Sequence, residues 1–90
     1  MKNKCMLGMV LLALSASVMA APISSSSNGS DWVRASSVER LQYASRIVNT
    51  MNANYSARAL ANCINEVFYE PSLRGFKVSE IATGCHIELR

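Results

Sequence analysis

Cys63, Cys85 and His86 are the residues whose types and spacing come closest to a reactive group. A thiolate beside an imidazole is the arrangement of a cysteine nucleophile and its base, so Cys63 with His86 is the arrangement to test first. The same three side chains supply too few ligands for a zinc site and match no zinc spacing. Glu66 and Glu70, four residues apart, would share one face of a helix, where paired carboxylates can serve acid–base chemistry. A solvated helix face explains the same spacing. None of the serines sits in a Gly-x-Ser-x-Gly elbow, and no glycine-rich phosphate loop or nucleotide fingerprint occurs. No catalytic residue, metal ligand or cofactor site is assigned, and the expectation is a protein that is not an enzyme.

The cysteines are decided by the N-terminus. Lys2 and Lys4 precede an apolar run from Cys5 to Leu14, and Val18-Met19-Ala20 supplies small side chains at the positions a signal peptidase reads. A charged start, a short apolar run and a small-residue exit are the parts of a secretory signal. The run falls short of the roughly 20 residues that span a bilayer. Cys5 stands at the beginning of the run, where it cannot be a lipoprotein cysteine. Residues 1–20 are therefore expected to be a cleaved signal peptide, and the chain to be periplasmic or secreted with no stable membrane anchor. Of three cysteines, Cys5 leaves with the signal. Cys63 and Cys85 then form the one intramolecular disulfide available in an oxidising compartment.

Cleavage also changes the charge. The 90-residue chain carries nine basic and six acidic side chains, net +3. Without Lys2 and Lys4 the balance is seven to six, or +1. The basic character belongs mostly to the export signal, which argues against nucleic acid as a partner.

The remaining elements must position whatever the domain presents. Residues 21–30, rich in serine with Asn28-Gly29, have the composition of a flexible tether. Residues 31–90 form a small disulfide-linked domain. Ser36 and Glu39 make a capping-box pattern. Val38, Leu41, Ala44, Ile47, Val48 and Met51 then recur at helical spacing, which predicts a helix to about Asn52 with those residues facing the core. Asn52-Ala53-Asn54 breaks it. Ser56 caps a second helix to about Tyr69, with Leu60, Cys63, Ile64, Val67 and Phe68 on its apolar side and Pro71 beyond its end. A short third helix is expected from Val78 to Thr83, capped by Ser79 and stopped at Gly84. The alternation of Cys85, Ile87 and Leu89 with polar residues is a strand pattern, but a lone strand needs a partner and the sequence offers none, so the segment is left open between strand and helix. The expected fold class is mainly α: a small domain of two longer helices and one short one, with one disulfide.

Beyond the signal, six arginines stand against one lysine, Lys77. Arginine grips carboxylates bidentately, and arginine, tryptophan and tyrosine are enriched at binding hot spots. Arg40, Arg46, Arg58 and Trp32 are thus the candidate partner-binding residues. The leading expectation is a protein that binds another envelope or secreted protein, as an inhibitor, immunity factor or accessory subunit. Two alternatives are a small thiol-dependent enzyme and a periplasmic stress chaperone. The building plan is similar to that of acid-activated periplasmic chaperones, although the lysine content is not.

Overall fold

A computed structural model describes residues 22–90; the expected signal peptide, residues 1–20, lies outside the described residues. Four α-helices follow one another: α1 Gly29–Arg34, α2 Ser37–Met51, α3 Ala57–Phe68 and α4 Val78–Leu89, with a 3-10 turn at Pro71–Leu73 between the last two. There is no strand among the described residues, only an isolated antiparallel bridge between Asn28 and Lys77.

Local chemistry explains the helix boundaries. Ser36 Oγ accepts from Glu39 N–H at 3.1 Å while Glu39 returns a carboxylate oxygen to Ser36 N–H at 2.9 Å, the reciprocal capping box expected from sequence. Helix α2 ends at Asn52, whose φ of 49° places it in the left-handed region that asparagine tolerates. Ser56 caps α3 through Ala59 N–H. Helix α1 has its own reciprocal box, Asn28 with Asp31, both bonds 3.0 Å long.

Helix α4 differs from the sequence expectation in three ways. It starts with Lys77 as its N-cap, and Glu80 accepts from the Lys77 N–H at 3.0 Å. Ser79 lies inside the helix and is not its cap; its hydroxyl donates to the Ser25 carbonyl. The helix also runs through Gly84 to Leu89, so the third helix is as long as α3 and the C-terminal strand is absent. Cys85 and Leu89 lie on one side whether the period is two or four. Ile87, which a strand would place beside them, is 57% exposed. No neighbouring strand exists among the described residues to satisfy an extended backbone, so the helix, which satisfies its own, is formed.

Helix α3 is the hub. Its Leu60, Ile64 and Phe68 are fully buried, and α1, α2 and α4 each pack on it. Trp32 from α1, Tyr43 and Ala44 from α2, and Val78, Ala82 and Cys85 from α4 complete the core. The buried stripe of α2 is rotated from the expected one. Tyr43 is inside, edge-on to Trp32 with ring centroids 6.0 Å apart, whereas Val38 is 62% and Met51 50% exposed and Leu41 is only half-buried. The large Trp32–Tyr43 pair fixes which side of α2 turns inward, and three apolar residues are left at the surface.

The serine-rich segment also departs from a tether. Ile23 is buried in the core. Arg46 Nη2 donates to the Ile23 carbonyl at 2.9 Å, Val78 N–H to the Ser27 carbonyl at 2.8 Å, and Gly29 N–H to the Phe76 carbonyl at 3.0 Å. Serine-rich composition conceals this because the attachment uses backbone groups and one apolar anchor.

Two glycines in helices have opposite expected responses. A Cβ on Gly29 would lie 2.5 Å from the Phe68 ring and 2.7 Å from the Arg74 backbone. Gly29→Ala is expected to cost about 1–3 kcal/mol through overpacking, read as a lower urea midpoint. Gly84 is exposed, has an ordinary helical backbone, and a Cβ added to it would have no neighbour within 4 Å. Gly84→Ala is expected to raise stability by about 0.5–1 kcal/mol in the same measurement.

Candidate protein-binding surface

The disulfide is present: Cys63 on α3 and Cys85 on α4 are joined with Cα atoms 6.0 Å apart. Neither sulfur is then a free thiolate, and the Cys63–His86 dyad is not assembled. His86 shares a hydrogen bond through Nδ1 with the Tyr55 hydroxyl instead. Glu66 and Glu70 do not form a pair on one helix either. Glu70 falls past the end of α3 and accepts from Ser72 N–H and Ser72 Oγ in the next turn. Among the described residues no group of His, Cys, Asp and Glu could hold a metal ion. No described helix is long and apolar enough to cross a membrane.

The four candidate contact residues separate into two kinds. Trp32 is fully buried, so it is a core residue and not a contact surface in this fold. Its indole N–H donates to Asn65 Oδ1 at 2.7 Å. The sequence allows Trp32 and Val33 to fold back onto α2 but does not show that Trp32 is buried, because α1 has only six residues, too few to show a period. Arg40 is mainly structural. Its Nε and Nη2 donate to the Trp32 and Val33 carbonyls, both at 2.9 Å, near the C-terminal end of α1, and its Nη1 reaches Asn65 Oδ1. Basic groups satisfy orphan carbonyls and the dipole at such a helix end. The Arg40 guanidinium carbon also lies 5.9 Å from the Trp32 ring centroid.

Arg46 and Arg58 are exposed. Arg46 is held on one side by the Ile23 carbonyl, with its guanidinium carbon 5.7 Å from the Tyr43 ring centroid. Arg58 makes no hydrogen bond or ion pair through its side chain among the described residues. The one ion pair among them is Arg34 with Asp31. Asp31, Glu39, Glu70 and Glu80 are occupied locally at helix or turn starts. The arginines of α2 and α3 therefore have no carboxylate partner within the described fold.

These arginines border a series of depressions across α2. The largest, a cleft of about 450 Å³, opens between α2 and α4 and is lined by Tyr43, Ile47 and Met51 on one side and Ala82, Thr83 and His86 on the other. Arg46, Thr50 and Ser79 complete its rim. Helices α2 and α4 both pack on α3 but scarcely on each other, which leaves this space open. Arg46 also borders a second depression with Val38, Leu41, Gln42 and Ser45. A third, of about 230 Å³, holds Arg40, Arg58, Val38 and Leu41. No acidic residue lines any of the three.

Burial also affects the two tyrosines near the cleft. Desolvation raises the Tyr43 pKa, with Arg46 offsetting part of the rise, and desolvation raises that of Tyr55. A phenol whose folded pKa lies above its unfolded value binds its proton more tightly when folded. Its contribution to stability is complete below about pH 10 and is lost as pH rises through the folded value. Urea midpoints are expected to fall above about pH 10, and Tyr43→Phe with Tyr55→Phe to flatten that fall.

In comparisons with known proteins the chain matches no family model, no curated protein and no solved structure.

Proposed function

We propose that this chain is a small exported protein-binding protein, acting as an inhibitor, immunity factor or accessory subunit on another envelope or secreted protein. The observation that carries the reading is the band across α2. Exposed Val38 and Met51, half-buried Leu41 and Ile47, and the arginines Arg40, Arg46 and Arg58 border connected depressions with no carboxylate among them. Exposed apolar side chains interspersed with arginine have the composition of an interface centre. The residues with reactive potential are otherwise engaged: both sulfurs in the disulfide, His86 with Tyr55, and four of the six carboxylates at helix or turn starts. Export is part of the proposal and rests on the N-terminal pattern. A cut after Ala20 would leave Ile23, the first buried residue among those described, inside the exported chain.

The test is affinity capture from envelope extract, with the native exported protein as bait and Trp32→Ala, which loses a fully buried core residue, as the unfolded control. One protein enriched by the native bait alone is the expected result. Recovery of the same set by both baits, or of nothing by the native bait, would overturn the reading.

A further inference from the structure

The α2–α4 cleft has two helical walls, and among the described residues no third helix lies across it. We infer that it receives an acidic amphipathic helix of the partner protein, with apolar side chains entering between Ile47, Met51 and Ala82 and a flanking carboxylate meeting Arg46. The inference rests on the protein-binding reading above and adds the site and the chemistry of the partner.

Geometry argues for a helix. Because α2 and α4 lean on α3 and leave a trough between them, an incoming helix can lie along it and complete a bundle, the helix-in-groove mode of recognition. The volume, about 450 Å³, lies within the range of roughly 300–1,000 Å³ typical of binding clefts. It accepts several apolar side chains. Met51, half-exposed at the end of α2, is unbranched and adapts to the shape of an entering group.

Charge argues for acidity. Arg46 is the one permanently charged residue lining the cleft, and no carboxylate answers it. Its Nη2 is committed to the Ile23 carbonyl, and its other N–H groups make no hydrogen bond among the described residues. That carbonyl and the Tyr43 ring already fix the guanidinium, so less side-chain freedom is lost when a carboxylate docks. A basic helix would meet Arg46 with no compensating charge. By the same argument the chain's own N-terminus is a poor occupant: it enters beside Arg46 at Ile23, but residues 1–21 contain Lys2 and Lys4 and no acidic residue.

The test uses protein purified after expression of the full sequence and two labelled synthetic helices of equal length. Both carry leucine at i, i+3, i+4 and i+7; one has glutamate and the other lysine at the intervening positions. Fluorescence polarisation is expected to show the glutamate helix binding at least about tenfold more tightly. Arg46→Glu and Thr50→Glu should each weaken it about tenfold. Thr50 is exposed at the rim, so its replacement leaves the core intact even if Arg46→Glu disturbs folding. Tyr69→Glu, the same charge change at a residue 84% exposed beyond α3, should change affinity less than about twofold, a small rim effect. Equal binding of the two helices, or indifference to Thr50→Glu, would overturn the inference. A loss caused by Arg58→Glu alone would move the contact to the neighbouring depression and overturn it, with the protein-binding reading intact. A dimer split by Thr50→Glu in sedimentation would assign the cleft to a second copy and likewise overturn it.

Discussion

Trp32→Ala is expected to lower the free energy of unfolding by about 3–5 kcal/mol, the usual cost of truncating a fully buried large aromatic residue. A domain of about 70 residues has only a few kcal/mol of net stability, so the variant should be largely unfolded. Three connections fail together. The edge-on contact with Tyr43 goes, and with it the restraint that sets the inward side of α2. Asn65 Oδ1 loses its indole donor and keeps only the longer bond from Arg40, at 3.3 Å. The Arg40 guanidinium loses the ring beneath it. Trp32→Phe keeps an aromatic ring and should cost less, about 1–2 kcal/mol from lost volume and the lost N–H bond. Urea unfolding followed by far-ultraviolet circular dichroism measures both. A loss below about 1 kcal/mol for Trp32→Ala would show that the residue is not a core anchor.

That prediction reverses the role assigned to Trp32 from sequence, and the reason is general for this chain. Readings based on side chains that act on their own backbone hold at three places, the Ser36–Glu39 box, the Ser56 cap and the break at Asn52, which depend on residues within four positions of one another. They fail at Ser79, whose hydroxyl is drawn to the distant Ser25 carbonyl. The disulfide followed from the export argument. Features that depend on distant packing were not legible. Val38, Leu41 and Met51 satisfy a helical period as well as Tyr43 does, and only the position of Trp32 decides between them. At Cys85 and Leu89 a strand period and a helical period select the same residues. Gly84 resembles a stop because glycine is common after helix ends, but the disulfide and the burial of Cys85 carry the helix past it. Arg46 and Arg58 could be named in advance as exposed binding candidates. The cleft beside Arg46 could not, because it exists only where α2 and α4 fail to meet.

Removing the disulfide by Cys63→Ser with Cys85→Ser is expected to cost about 3 kcal/mol in the chain-entropy account, for a bridge that spans 22 positions. The loss should be unevenly distributed. The start of α4 is fastened independently, by Val78 N–H on the Ser27 carbonyl, by Ser79 Oγ on the Ser25 carbonyl and by burial of Val78 and Ala82. After Gly84 the helix has Cys85 as its one fully buried side chain, with Leu89 half-buried. Without the bridge that last stretch keeps only the His86–Tyr55 hydrogen bond and the packing of Leu89 beside its helix propensity, which glycine lowers by about 1 kcal/mol relative to alanine. Hydrogen exchange on the double serine variant should therefore show protection lost first over residues 85–89 and retained longer over residues 78–82. Adding Gly84→Ala should restore part of the lost protection and about 0.5–1 kcal/mol of stability. Uniform loss of protection along α4 would mean that the bridge holds the whole helix on α3. His86 stands on the weakened stretch and, with Thr83 just before it, lines the α2–α4 cleft. The disulfide thus fixes the His86 end of one wall of the proposed binding site, and its removal should reduce partner binding even under conditions where the rest of the fold survives.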